Sequence, residues 1–252
     1  MEDLKNKIKE SLRDTGIAVL PPMDAFQSMD LLSSAGIHVE CTMLDPWYNR
    51  GTGGTVPESE YDRFIRRLLE SSGRISDTMY LWGFPDIVGP YVRYAPDGFR
   101  MGTWITWYYK NCPSVIRGWR SSQQACLQYV RDGYRLHPEN FMDAEKKKKK
   151  KLEQGGMRFV PGPTSVIESP LIIGFVGKKE QTGHPSQKPE SVFDSLLKMA
   201  LPLDGIVFDP MAGSGTTGAS AVKNGYGAVL CDHNDEYIKI IEKRLKVQRI
   251  KI

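Results

Sequence analysis

The stretch that most constrains this chain lies near its C-terminus and reads Val207-Phe208-Asp209-Pro210-Met211-Ala212-Gly213-Ser214-Gly215-Thr216-Thr217-Gly218. Gly205 to Phe208 is a short apolar run of strand type, and the small residues after it open into Ala219-Ser220-Ala221-Val222. The order is strand, tight glycine turn, helix. In such a turn Gly213 and Gly215 let the backbone approach a ligand closely, while the first N–H groups of the helix, which lack intrahelical partners, point at it. A nucleotide-bearing cofactor is the expected occupant.

The spacing GSGTTG is a literal GxGxxG, which alone suits a dinucleotide. Asp232 follows a second strand-like run, Tyr226 to Cys231, where an acid can take the ribose hydroxyls of either NAD or S-adenosylmethionine. The turn by itself leaves both open.

A chain of 252 residues with 40% hydrophobic content can fill one large α/β core, with or without an insertion. Its longest apolar runs are too short to span a bilayer, and Met1 to Gly16 is charged rather than a signal segment, so a soluble intracellular protein is expected. Cys41, Cys112, Cys126 and Cys231 are scattered without CxxC spacing, which predicts reduced core thiols and no metal site. The net charge is +4, and the six lysines of Lys146 to Lys151 exceed it, so the remainder of the chain is net acidic. That basic run is read either as a solvated loop or as an arm that contacts phosphates.

Short strands are predicted at Ile17 to Leu20, Val39 to Leu44, Thr78 to Trp82 and Gly102 to Tyr109. Between them Tyr61, Phe64, Ile65, Leu68 and Leu69 recur at helical spacing, with Ser59 and Asp62 placed like a capping box and Gly73 as the stop. Order is expected again at the apolar Leu171 to Val176, then in a helix carrying Val192, Phe193, Leu196, Leu197 and Ala200, and in a last helix from Asp235 with Tyr237, Ile238, Ile241 and Leu245 on one face. This alternation predicts a mostly parallel α/β sheet. From Asn111 to Ser165 the pattern fades, and the stretch reads as an insertion holding Arg117, Arg120, Arg131, Arg135 and the lysine run.

Three motifs stand in order: Asp45-Pro46-Trp47-Tyr48, then His184-Pro185-Ser186-Gln187-Lys188-Pro189, then Asp209 to Thr217. In this the chain resembles a DNA amino-methyltransferase of the β group, with its catalytic DPPY motif first, target recognition in the middle and the cofactor motif last. The resemblance covers nearly all of the chain except Asn111 to Ser165 and implies a class I S-adenosylmethionine-dependent methyltransferase fold, Rossmann-like and circularly permuted. Residues 1–110 and 166–252 would form the catalytic domain and 111–165 the recognition insertion. Ile17 would then lie beside the strand ending at Cys231.

The chemistry of the residues agrees. The exocyclic amino group of adenine or cytosine is a poor nucleophile because its lone pair is delocalised into the ring. Acceptors on its N–H bonds favour a more tetrahedral nitrogen, and the resemblance gives that role to the Asp45 side chain and the Pro46 carbonyl, with Tyr48 stacked on a base flipped out of double-stranded DNA. The family's lean for an initial aspartate is adenine, and cytosine amino methylation is the alternative. Trp47 replaces the usual second proline and is expected to reshape the base pocket.

For the cofactor, Asp209, Pro210, Gly213, Gly215 and Thr216 would form the loop over the methionine part, and Asp232 would take the ribose. His184, Ser186 and Lys188 would reach the methionine carboxylate, and Asp24 would lie against the adenine of S-adenosyl-L-methionine. The resemblance also brings a homodimer and a cognate restriction endonuclease as candidate partners, in the cytoplasm of a bacterial or phage-infected cell.

Other functions fit less of the chain. A cytosine ring-methylating enzyme typically carries its nucleophilic cysteine after proline, and none of the four cysteines follows one. An NAD-dependent oxidoreductase leaves DPWY and HPSQKP without a role. An inactive DNA-binding relative would have no need of Asp45, Tyr48 and the glycines.

Overall fold

Val39–Leu44 is buried almost throughout, and a strand with both faces covered has to sit inside a sheet. The computed structural model, which describes residues 2–50, 54–112, 118–142 and 162–252, places it there. The strands are β1 (Ile17–Val19), β2 (Val39–Leu44), β3 (Ser76–Gly83), β4 (Phe99–Tyr108), β5 (Gln123–Arg131), β6 (Val166–Glu168), β7 (Ile206–Asp209) and β8 (Gly227–Leu230). They form one sheet in the order β1-β8-β7-β2-β3-β5-β4-β6. All neighbours from β1 to β3 are parallel, β5 is antiparallel to both β3 and β4, and β6 is parallel to β4.

The N-terminal strand lies beside the C-terminal one, as the permuted order implies: Ile17 is opposite Ala228 and Val19 opposite Leu230. Ile250 N then donates to Val19 O at 2.8 Å, which ties in the last turn of chain.

Helices cover both faces. The first is α1 (Glu2–Thr15), which the sequence analysis does not assign; Leu4, Ile8 and the partly buried Leu12 repeat every four residues and seat it. With α2 (Ala25–Ser34) and α3 (Glu58–Gly73) it packs on one face, where Met29, Leu32, Ile65 and Leu68 are buried. After the short α4 (Pro85–Val88), the other face is covered by α5 (Glu190–Ala200), α6 (Thr216–Lys223) and α7 (Asp235–Leu245) through Phe193, Leu197, Ala221, Ile238 and Ile241. Each fully buried leucine or isoleucine contributes roughly 1.5–3 kcal/mol of transfer free energy.

Two local readings are corrected. Helix α3 begins at Glu58 behind an N-cap Pro57 that makes no side-chain cap, so Ser59 and Asp62 lie inside the helix and Asp62 instead pairs with Arg66 at 2.8 Å. The pre-set φ of proline starts the helix earlier than a capping side chain would. The capping box belongs to α2, where Asp24 accepts from Phe26 N at 2.8 Å and donates its own N–H to Gln27 Oε1 at 3.1 Å. Leu171 to Val176 is turn rather than a regular element, and Phe175 is 92% exposed.

The largest departure is β5. Nine residues of the stretch read as an insertion form an almost wholly buried strand of the catalytic sheet, between β3 and β4. Its buried Gln128 donates to the Tyr80 hydroxyl at 2.8 Å, and that hydroxyl donates to Leu196 O at 3.0 Å, so the polar group carries no unmet hydrogen bond. Arg131, read as a DNA contact, is structural: it holds Gly73 O, Ser76 O at 2.8 Å and Asp77 at 3.1 Å, over the Phe99 ring.

Candidate active site

The sheet reverses its winding between β7 and β2. From β7 the chain runs through α6 to β8 on one face, and from β2 through α3 to β3 on the other. Helices departing to opposite faces leave a crevice past the strand ends, which is where open parallel sheets bind ligands. Thr42 is opposite Phe208 in the register, so Asp45 and Asp209 leave adjacent strands at the same edge.

Asp45 is the centre of the acceptor side. Lys188 Nζ is ion-paired with its Oδ2, and the Tyr48 hydroxyl donates to its Oδ1 at 2.8 Å. The ammonium also lies 3.1 Å from the Tyr48 oxygen and 5.3 Å from the centre of the Trp82 ring. The Lys188 side chain is 4% exposed and that of Asp45 24%, so the pair sits at the bottom of the crevice with the carboxylate turned partly outward. Burial first, then Asp45, pushes the Tyr48 hydroxyl well above its ordinary range, so it stays a neutral donor. Pro46 is buried behind them.

Trp47 points elsewhere. Its ring packs on Tyr61 and Phe64 of α3, with centroids 5.3 and 4.6 Å away, and Tyr61 donates to Trp47 O at 2.7 Å. The aromatic in place of the second proline therefore anchors the turn to α3 rather than lining the space over Asp45. An open cleft of about 820 Å³ lies beside Tyr48, bounded also by Asn49, Arg50, Tyr61, Asp86 and Tyr91.

The glycine loop forms the other side. Gly213 and Gly215 both take positive φ, +47° and +74°, and Gly215 caps α6. A Cβ on Gly213 would come 2.8 Å from His184 Nε2, so the imidazole rests directly on the bare backbone, backed by the Tyr237 ring 4.4 Å away. Burial lowers the His184 pKa against the opposing pull of Asp45 and Asp232. Asp232 accepts from Gly213 N and Asn234 N, each at 2.9 Å. Asp209 accepts from Met211 N at 3.0 Å and from the Thr217 hydroxyl, and burial raises its pKa to about 7. Pro210 is buried at the start of the turn. Thr216 donates to Lys188 O at 3.1 Å, which joins the loop to the residue holding Asp45.

Two expected positions are differently employed. Lys188 is directed at Asp45 and Tyr48, and Asp24 at the α2 N-terminus. Ser186 is exposed, its backbone N–H donating to His184 Nδ1 at 3.2 Å. Of the candidate arginines, Arg120 is exposed and Arg135 pairs with Glu139 at 3.4 Å, while Arg117 and Lys146 to Lys151 lie outside the described residues.

Sequence reading missed the residues that brace this site. Arg244, in the last turn of α7, donates to Ser214 O at 2.9 Å and to Thr216 Oγ1 at 3.1 Å, and pairs with Glu190 at 2.8 Å. Gln124 Oε1 is 3.4 Å from the Tyr48 hydroxyl, and Phe84 packs edge-on to the Tyr48 ring at 5.3 Å. All four cysteines are free and buried, with burial pushing Cys41 and Cys231 up to about 12. Among the described residues no group of three or more His, Cys, Asp or Glu is arranged to hold a metal ion, and no helix is long and apolar enough to cross a membrane.

A family profile described as DNA methylase matches residues 39–243, from the start of β2 into α7. The chain belongs to the DNA methylase family. It is an amino-methyltransferase of the β group, and S-adenosylmethionine is the cofactor of that family.

This methylase is 28% identical to the type II methyltransferase M.ScaI of Streptomyces caespitosus, an alignment covering 98% of the chain and 88% of that protein. A shorter stretch, 27% of the chain and 23% of the relative, is 41% identical to the DNA adenine methyltransferase YhdJ of Escherichia coli. Among solved structures, the M1.HpyAVI complex with S-adenosylmethionine superposes with a TM-score of 0.65 at 17% identity, over 92% of this chain and all of that one. The cytosine-N4-specific PvuII DNA methyltransferase gives 0.63 at 11% identity over 94% of this chain and 90% of that one. At these identities the two structures establish the class I methyltransferase fold.

Proposed function

We propose that this methylase transfers the methyl group of S-adenosylmethionine to the exocyclic amino group of adenine in double-stranded DNA, on a base flipped out of the duplex. The observation that carries this reading is the juxtaposition of Asp45 and the Gly213 loop across the β7/β2 crevice, joined through Lys188, whose ammonium holds one and whose carbonyl holds the other.

The cofactor supplies an electrophilic methyl on a positively charged sulfur. The bare face of Gly213 suits a closely applied ligand, and the N-terminus of α6 suits an anionic group such as the methionine carboxylate. Asp232 would turn from its backbone donors towards the ribose, and His184 and Ser186 would meet the methionine end.

Asp45 acts on the acceptor. Its Oδ1 now accepts from Tyr48, and an incoming base amino group would take that place while the Pro46 carbonyl accepts the second N–H. Lys188 keeps Oδ2 engaged throughout, which fixes the carboxylate plane. Methyl transfer would form the nitrogen–carbon bond as the carbon–sulfur bond breaks with its electron pair going to sulfur, and the nitrogen would release a proton to water. Tyr48, freed from Asp45, would stack on the base.

The cytosine amino group is the alternative acceptor; the fold shared with PvuII methylase supports it. Incubation with tritiated S-adenosylmethionine and duplex DNA, followed by nucleoside mass spectrometry, tests both. N6-methyladenine supports the proposal, N4-methylcytosine moves it to the alternative, and no transfer to DNA overturns it. Likeness to type II methyltransferases supports a cognate endonuclease as partner, and a homodimer is proposed on the family resemblance. Recognition of the DNA sequence is assigned to what remains of residues 111–165 once β5 is returned to the sheet.

A further inference from the structure

The loop between β6 and α5 carries an apolar tip that the methyl-transfer site does not use. Strand β6 is parallel to β4, β4 and β5 are antiparallel, β5 and β3 are antiparallel, and β3 is parallel to β2. The C-terminal end of β6 therefore opens on the same edge as Asp45, and the loop that starts at Ser169 rises from that edge before returning to Lys188. At its crest Phe175 is 92% exposed, with Ile173 at 43% and Val176 at 39% beside it. Exposed Lys178 and Lys179 follow directly.

The crest is braced. Gly174 and Gly177 take positive φ, +59° and +64°, and turn the chain sharply on either side of Phe175 and Val176. The Gln181 side-chain amide donates to Gly174 O and to Val176 O, each at 2.9 Å. Glu180 N donates to Gly177 O at 2.8 Å, and Gln187 Nε2 donates to Glu180 O at 2.6 Å. Gln187 precedes Lys188, so the hydrogen bonds run from the crest to the residue that holds Asp45.

An exposed aromatic on a rigid turn is costly to maintain in water and suits a partner that offers an apolar gap beside negative charge. A duplex from which one base has been flipped out has that chemistry: an unstacked hole between base pairs, flanked by phosphates. Apolar side chains that enter base steps offset part of the unstacking cost. We propose that Phe175 is the wedge that fills the duplex where the target base has left, with Lys178 and Lys179 on the adjoining phosphates. This rests on the reading that the substrate is duplex DNA.

The test uses the full chain and a duplex containing its methylation site, identified by sequencing DNA that it has methylated. With 2-aminopurine beside the target base, wild-type protein is expected to raise the fluorescence and Phe175→Ala to lose most of that rise. Loss of one aromatic stack predicts kcat/KM on normal duplex about tenfold or more lower for Phe175→Ala. On a duplex whose target base faces an abasic site, where unpairing is already done, the variant is expected to come within about threefold of wild type. Phe175→Trp is expected to retain activity. Equal fluorescence and equal kcat/KM for wild type and Phe175→Ala overturn the wedge while leaving methyl transfer intact. A wild-type dimer that dissociates in Phe175→Ala, seen by sedimentation, overturns it in favour of a second copy of the chain on this crest. Absence of methyl transfer and of any fluorescence change in the wild type overturns the DNA reading itself.

Discussion

The Lys188 ammonium and the Asp45 carboxylate are ion-paired although 143 residues separate them in sequence. The pair makes the HPSQKP segment part of the acceptor half of the site as well as a neighbour of the cofactor loop. Thr216, which donates to the carbonyl of the same lysine, ties the cofactor loop to that pair.

Asp45→Asn is expected to abolish an acceptor without changing the size of the side chain. The kcat for methyl transfer should fall by about 10²–10³-fold, the range for removal of one preorganised electrostatic contact in a transition state. Affinity for S-adenosylmethionine, followed by calorimetry, should change little.

The two halves of the ion pair are expected to differ in stability cost. Breaking a buried pair costs roughly 3–5 kcal/mol when the charge left behind is fully buried. Asp45→Ala leaves an ammonium whose side chain is 4% exposed, whereas Lys188→Met leaves a carboxylate that is 24% exposed and recovers part of its hydration. Thermal melts should therefore place Asp45→Ala below Lys188→Met.

Gly213→Ala introduces a methyl group 2.8 Å from His184 Nε2, at a φ of +47°. The imidazole must move off the loop and the backbone carries about 1 kcal/mol of strain. Titration with S-adenosylmethionine should show affinity weakened about tenfold or more, the result of a changed cradle.

Asp209 carries a pH signature. Its folded-state pKa is raised from 3.8 to about 7 by burial. Between those values the unfolded chain has already lost the proton that the native state keeps, so this group's contribution is fully present below about 4 and is lost as pH rises to about 7. Urea unfolding at pH 5 and pH 7.5 should show wild type losing more stability over that interval than Asp209→Asn.

Much of this site was legible because its parts are short-range. The strand–turn–helix at Val207 to Gly218 and the strand ending on Asp45 are written in consecutive residues, and the pairing of Ile17 beside the C-terminal strand follows from the order of three motifs. What stayed hidden depends on partners far away in sequence. Gln128 looks like a solvent-facing residue until Tyr80 and Leu196 are brought to it, and so β5 was read as insertion. Arg131 looks like a free cation until Asp77 and the carbonyls of Gly73 and Ser76 surround it. Lys188 carries no local sign that it will meet Asp45, and Arg244 none that it will hold the carbonyl of Ser214. Trp47 was legible as a departure but not in its direction, because Phe64 and Tyr61 become its neighbours only once α3 is docked.

The strand order also sets a schedule for synthesis. Strand β1 is made well before its sheet partner, β8, and β7 must enter between β8 and β2. Until then the β2 edge at Cys41 and Thr42 has no neighbour, a row of open backbone groups that invites wrong pairing. A nascent chain of this design makes β3 to β6 with its central seam still unclosed.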